Sequence, residues 1–234
     1  MNLYRLASRL WPQVVWHGGQ VDGSWLKGYT GSGNLFRLPE SGCKETSLID
    51  RNLREKELYL TFDDGPTRYL TGWILHTLAK HNACATFFCL GQQVREHPDS
   101  YRSILYAGHA VGNHTHSHLS GWRTSSRRYF EDIGLASQEI RSNLFRPPYG
   151  RIRPSQVRRL RKDYLIVLWD VFSRDCDQRQ SPAAILKRLK KQVRPGSIVV
   201  FHDSEKAEPN IREVLPEFLE YCKEKGYGFG KIMS

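Results

Sequence analysis

From Leu58 onward, short apolar runs alternate with longer amphipathic stretches. The runs LYLTF, ATFFCL, YLIVLW and SIVVF are rich in β-branched and aromatic residues, and HAVG and YGFGKI are weaker examples. Between them, RYLTGWILHTLAKH, SSRRYFEDIGLASQEIRSN, SPAAILKRLKKQV and NIREVLPEFLEYCKEKG carry apolar residues at helical spacing. Continuous apolar strands alternating with amphipathic helices predict an α/β fold whose parallel sheet is covered by helices. Upstream, residues 18–56 are rich in Gly and Ser with little periodicity. The chain therefore divides into an N-terminal extension, 1–56, partly irregular, and one domain, 57–234.

Periodicity alone does not separate a closed barrel from an open sheet. The polar clusters do more. DDGP follows LYLTF, NHTHSH follows HAVG, RPPYG follows LF, an aspartate follows YLIVLW, and HDS follows SIVVF. Reactive side chains at the C-terminal ends of several strands are the layout of a (β/α)-barrel active site.

Composition narrows the class. The chain has 234 residues, enough for one sizeable core, and is 39% hydrophobic and 25% charged. It has no run of 18 apolar residues, so no transmembrane segment is expected. The first residues lack the unbroken apolar stretch of a signal peptide, because Arg5 and Arg9 interrupt it. Five cysteines, Cys43, Cys84, Cys89, Cys176 and Cys222, form no CxxC pair and read as free thiols of a reducing compartment. Both observations lead to the expectation of a cytoplasmic protein, with association to the cell envelope as the alternative. The net charge is +11, and Arg123 to Lys162 holds eleven basic against three acidic residues. Such an excess draws anionic partners. Its simpler reading is a solvated helix face, since Val157, Leu160 and Tyr164 share one side and leave the arginines outside. No zinc-finger spacing or other nucleic-acid motif occurs, so nucleic acid is not an expected partner.

The clusters carry specific chemistry. His114 and His118 are four apart, and on a helical turn that spacing sets two imidazoles about 5–6 Å apart on one face. Two histidines and a carboxylate with open positions make a hydrolytic metal site. Asp63 and Asp64 offer two carboxylates. One can hold a metal while its neighbour acts as general base, although DDGP is also good turn chemistry. His202 can serve as general acid, with Asp175 holding the imidazole and raising its pKa. Arg146 can pair with the unligated aspartate, and the backbone N–H near Tyr149 can face an oxyanion. His17, His76, His81, His97 and His109 read as surface or structural histidines.

In this order and spacing the motifs resemble those of the polysaccharide deacetylase family, the NodB-like carbohydrate esterases of family 4. TFDDG stands as Thr61 to Gly65, HTHSH as His114 to His118, RPPYG as Arg146 to Gly150, and IVVFHD as Ile198 to Asp203. The resemblance implies a distorted (β/α) barrel with fewer than eight complete units. It implies Asp64, His114 and His118 as metal ligands, with Zn2+ or another divalent ion such as Co2+ or Mn2+. It also implies Asp63 as base, Arg146 holding it, His202 as acid with Asp175 behind it, and the Tyr149 amide in the oxyanion hole. One motif departs: Phe172 replaces the first aspartate of D-x-x-D-W and Cys176 replaces its tryptophan. Phe201 stands where leucine is usual beside the acyl pocket. These three changes are expected to touch the substrate groove and not the metal or acid–base pair. The implied reaction is removal of N-acetyl groups from N-acetylglucosamine polymers or oligomers, peptidoglycan-, chitin- or poly-N-acetylglucosamine-like, including anionic glycans. The alternatives are O-acetyl esters of polysaccharide, small non-sugar amides, or a non-catalytic binding protein for an anionic polymer.

Overall fold

The computed structural model describes residues 56–233, together with the backbone of a two-residue strand, β1 (Val14–Val15). The other expectations for the extension lie outside the described residues. The remaining elements run β2 (Glu57–Asp63), α1 (Leu70–Lys80), β3 (Thr86–Cys89), α2 (Gly91–Glu96), α3 (Pro98–Tyr106), β4 (Ala110–Asn113), α4 (Ser126–Glu139) and β5 (Leu144–Phe145). After a 3-10 turn at Pro148–Gly150 come α5 (Pro154–Leu160), β6 (Leu165–Val167), β7 (Val171–Phe172), α6 (Pro182–Gln192), β8 (Ile198–His202), α7 (Glu208–Glu224) and β9 (Gly228–Gly230).

All strand pairs are parallel, in the order β1-β6-β5-β4-β3-β2-β8-β7, with β9 joining β2 beside its first residues. The chain itself shows that this sheet curls. β6 and β7 are six positions apart in the order, about 29 Å in a flat sheet with ~4.8 Å between strands. Yet only Leu168, Trp169 and Asp170 join them, and so short a link reaches about 14 Å at full extension. The sheet therefore wraps into the distorted (β/α) barrel with fewer than eight complete units that the motifs imply.

Residue parity assigns the two faces. Leu58, Leu60 and Phe62 of β2 pack outward, with Phe87, Val111, Val199 and Phe201, against α1, α6 and α7. A second outer cluster joins Phe145 and Ile166 to Tyr129 and Ile133 of α4 and to Val157 and Leu160 of α5. The inner face holds Phe88, Leu144, Val167 and Ile198, with Tyr59 and Trp169. Because strand side chains alternate, Asp63, Arg146 and His202 continue the inner series begun by Tyr59, Leu144 and Ile198. Phe201 must then face the helices. It is fully buried, stacked on Phe62 at 5.9 Å and tilted against Phe218 at 6.0 Å. This corrects its expected place at the groove.

The four amphipathic stretches fold as α1, α4, α6 and α7, and the basic stretch forms α5 with Val157 and Leu160 buried and Arg158 and Arg159 outside. Two helices, α2 and α3, escaped the sequence reading. Only Gly91 and Val94 of the first and Ile104 of the second are buried, so their apolar stripes are thin. Among the described residues no helix is long and apolar enough to cross a membrane. The thiol expectation needs correction. Cys89, Cys176 and Cys222 are free, but Cys84, half-buried in the loop before β3, is disulfide-bonded.

Candidate active site

The register of the sheet brings the site together. Asp63 and His202 are in-register neighbours at the C-terminal ends of β2 and β8. His114 follows the last residue of β4, and Arg146 follows β5, its N–H donating to the Asn113 carbonyl at 3.0 Å. All four thus crowd one end of the barrel.

Directly after Asp63 the chain turns. Asp64 has φ 78° and the Gly65–Pro66 peptide is cis. A Cβ on Gly65 would overlap the Asp203 carboxyl, so only glycine fits there. Asp203 anchors the turn by accepting from Thr67 Oγ1 at 2.9 Å and Thr71 Oγ1 at 2.5 Å. Burial pushes its pKa up to about 6, against these hydrogen bonds.

Asp64 Oδ1 lies 3.6 Å from His114 Nε2 and 3.3 Å from His118 Nε2, and it has no hydrogen-bond partner although buried. The two imidazole centroids are 5.2 Å apart. That separation matches the sequence expectation, but the route does not. Residues 114–118 form a loop, not a helical turn, and Thr115 (φ 70°) and His118 (φ 56°) are left-handed. His114 donates Nδ1–H to the Arg146 carbonyl at 2.7 Å, because a carbonyl only accepts. Burial lowers its pKa, with the nearby carboxylates opposing, so the ring is held neutral with the Nε2 lone pair toward Asp64.

These residues fit a divalent ion. An orphaned carboxylate oxygen between two imidazole nitrogens is costly to bury without a partner. Separations of 3.3 and 3.6 Å sit near the ~3.3 Å edge of a tetrahedron whose bonds are about 2.0–2.1 Å long.

Asp63 is held differently. Its Oδ1 accepts from Arg146 Nη1 at 2.7 Å, while Oδ2 is 3.9 Å from His114 Nε2. Arg146 is fully buried. It also donates to Thr61 Oγ1 (2.7 Å), the Leu168 carbonyl (3.2 Å) and the Val167 carbonyl (3.3 Å), and stacks on Phe88 at 4.1 Å. Burial lowers its pKa, and Asp63 counters that.

Across the mouth, His202 Nδ1 meets Asp175 Oδ1 at 2.7 Å. Asp175 is fully buried and further fixed by Ser173 Oγ at 2.8 Å and the His202 N–H at 2.8 Å. Burial of His202 works to lower its pKa, but the Asp175 carboxylate and a Cys176 hydrogen bond outweigh it and hold the pKa well above the ordinary value. Phe172, expected only at the groove, packs edge-to-face with the His202 ring, the two centroids 5.7 Å apart. Cys176 lies within 4.8 Å of His202 and Asp64. Two of the three departures therefore touch His202 itself and not only the groove. Tyr149, with φ 60°, is exposed and sets its ring 4.6 Å from that of His118.

The sequence reading missed several supports. Asp132 Oδ2 accepts from the His116 and Ser117 amides at 2.9 and 3.0 Å. Its signal was present, since it sits in the buried stripe Tyr129, Asp132, Ile133, Ala136 of α4. Asn113 Oδ1 accepts from the Thr115 amide at 2.8 Å. Backbone strain is a third signal: of the six non-glycine residues with positive φ among the described residues, only Asn82 lies away from the site loops.

A parallel (β/α) barrel with two histidines and paired aspartates at the C-terminal mouth defines a hydrolase of the carbohydrate-esterase type. The chain belongs to the polysaccharide deacetylase family, whose profile matches residues 50–165. It is similar to a peptidoglycan-N-acetylglucosamine deacetylase of Bacillus cereus, 32% identical over 187 residues, which cover 76% of this chain and 67% of that protein. It is also similar to a chitooligosaccharide deacetylase of Rhizobium leguminosarum bv. trifolii, 34% identical over 173 residues, covering 71% and 78%. The structure of the peptidoglycan deacetylase PdaC from Bacillus subtilis superposes with a TM-score of 0.69 at 29% identity, covering 79% of this chain and 90% of that one.

Proposed function

We propose that the protein hydrolyses the N-acetyl groups of N-acetylglucosamine-containing polymers or oligomers, with a divalent ion held by Asp64, His114 and His118. The observation that carries this reading is the pairing of two unlike aspartates. Asp64 presents an orphaned oxygen to two imidazoles, while Asp63 is locked at one oxygen by Arg146. Relatives named for peptidoglycan and chitooligosaccharide deacetylation support the substrate class.

When bound, the ion, Zn2+ or alternatively Co2+ or Mn2+, polarises the acyl carbonyl and acidifies water. The chain's own groups move the protons. Asp63 Oδ2, the oxygen not bonded to Arg146, takes a proton from the water that attacks the acyl carbon. Arg146 fixes the orientation of that carboxylate. The Tyr149 amide, held by its left-handed backbone, supports the developing oxyanion. His202, kept protonated by Asp175, gives its proton to the departing amine as the C–N bond breaks. Acetate and a glucosamine unit leave. The basic exposed face of α5 gives an anionic glycan a favourable approach. The disulfide at Cys84 favours an oxidising compartment over the cytoplasm, which suits a cell-envelope substrate.

The test is acetate release from N-acetylglucosamine oligomers and peptidoglycan by chelated protein, before and after zinc, cobalt or manganese is restored. Metal-dependent release supports the reading. Release from acetylated xylan but from no amide would move the protein to the ester alternative.

A further inference from the structure

Two groups of metal-ligating side chains occur among the described residues, and they share only Asp64. One is Asp64, His114 and His118. The other is Asp64, Cys176 and His202, whose donor atoms all lie within 4.8 Å of one another and which are half-buried, open to solution. We propose that this second group is a separate divalent-metal site, bridged to the first through the Asp64 carboxylate, whose filling takes His202 out of proton transfer.

Three observations support it. The donors are a thiol, an imidazole and a carboxylate, a set that suits zinc and cobalt and not magnesium or calcium. His202 already has the support common to metal-binding histidines, its Nδ1 held 2.7 Å from a buried carboxylate. Ser204 Oγ, 3.8 Å from Cys176 Sγ, adds a further oxygen nearby. Two ions sharing a carboxylate are an established arrangement, and here the thiol proton and the Nε2 proton of the His202 imidazolium would both leave to solvent on binding, with Nδ1–H staying on Asp175.

The site itself does not depend on the deacetylase reading; its inhibitory effect rests on His202 being the proton donor proposed above. Metal-free protein is titrated with cobalt, following absorption and the cobalt bound at equilibrium dialysis. The expected result is a first equivalent without thiolate character. A second should then bring a thiolate-to-cobalt charge-transfer band in the near ultraviolet. Cys176→Ser should lose both the band and the second equivalent, and Cys176→Ala serves if the serine variant does not fold. Saturation of the wild type at one equivalent, or a band that survives in either variant, overturns the site. Cys89 and Cys222 are too buried to supply it. In parallel, acetate release by the wild type should fall about a hundredfold or more between one and excess zinc equivalents, the scale of a lost proton donor. The ratio should stay near one in Cys176→Ser. A second equivalent that binds with the band but leaves release unchanged would overturn the inhibitory effect, and with it the role of His202, while the site would stand.

Discussion

Arg146 Nη1 donates to Asp63 Oδ1 at 2.7 Å, and the two side chains are 0% and 4% exposed. An ion pair so far from water is tolerable because every guanidinium nitrogen donates, to Thr61, Val167 and Leu168 besides Asp63, while the Phe88 face covers the cation. The pair therefore builds the barrel interior as well as orienting a carboxylate. Removing one partner leaves a buried charge uncompensated. Arg146→Met should lower unfolding free energy by about 3–5 kcal/mol in urea denaturation. Asp63→Asn combined with Arg146→Met should cost less than the sum of the single changes, because the two sites are coupled. An Arg146→Met protein within about 1 kcal/mol of the wild type would show that the pair is not structural.

The unlike settings of the adjacent aspartates predict a clean separation of roles. Asp63→Asn leaves Asp64, His114 and His118 untouched, so bound metal should remain stoichiometric while kcat falls about 10²–10⁴-fold, the range for a lost general base. Asp64→Asn should instead lose the metal. Metal analysis beside acetate release distinguishes them. Full activity in a metal-loaded Asp63→Asn protein would remove Asp63 as the base.

His202 gives a pH prediction. Its folded pKa is raised well above that of free imidazole, despite burial, by Asp175 and Cys176. The acid form thus persists through neutrality, and activity should be lost only as pH rises through that raised value. In Asp175→Asn the alkaline limb of the kcat profile should move to lower pH. Stability follows the same sign. The contribution of the His202–Asp175 pair is complete below about pH 6.5, the unfolded value, and disappears as pH rises through the folded one. Urea titrations across that range should show the pH dependence flatten in Asp175→Asn. An unmoved alkaline limb would assign it to another group.

Much of this arrangement was legible in the residues. The order of polar clusters after apolar runs located the mouth of the barrel, because in a parallel sheet every strand delivers its next residues to the same end. Parity was legible too, since Phe201 precedes an inward His202 and must face the helices. Resemblance to a pattern with leucine there obscured it. What could not be read was tertiary. No local rule shows that His114 and His118 meet through left-handed loop residues, or that the Arg146 guanidinium sits over the Phe88 ring inside the barrel. The closeness of Cys176 to His202 depends on the register of β7 beside β8, which joins segments 26 residues apart in sequence. The bond at Cys84 was equally hidden, because cysteine spacing does not give pairing.

Asp132 tests how far support for the site extends. It projects from α4, buried, and a single oxygen accepts from two consecutive amides of the loop that carries both histidines. Hydrogen bonds to a carboxylate are among the stronger ones, about 1.5–3 kcal/mol each, and buried amides left unpaired add their own cost. In Asp132→Ala the loop must rearrange to find acceptors for the His116 and Ser117 N–H groups, and His118 sits directly beyond them. Thermal stability should fall, and zinc affinity should weaken about 10–100-fold, as for a lost support of metal ligands. Asp132→Asn keeps one acceptor oxygen of the same reach and should recover part of both. Competition with a zinc chromophore measures the affinity. An Asp132→Ala protein that binds zinc as tightly as the wild type would show that the left-handed backbone of Thr115 and His118 holds the histidines without help from α4.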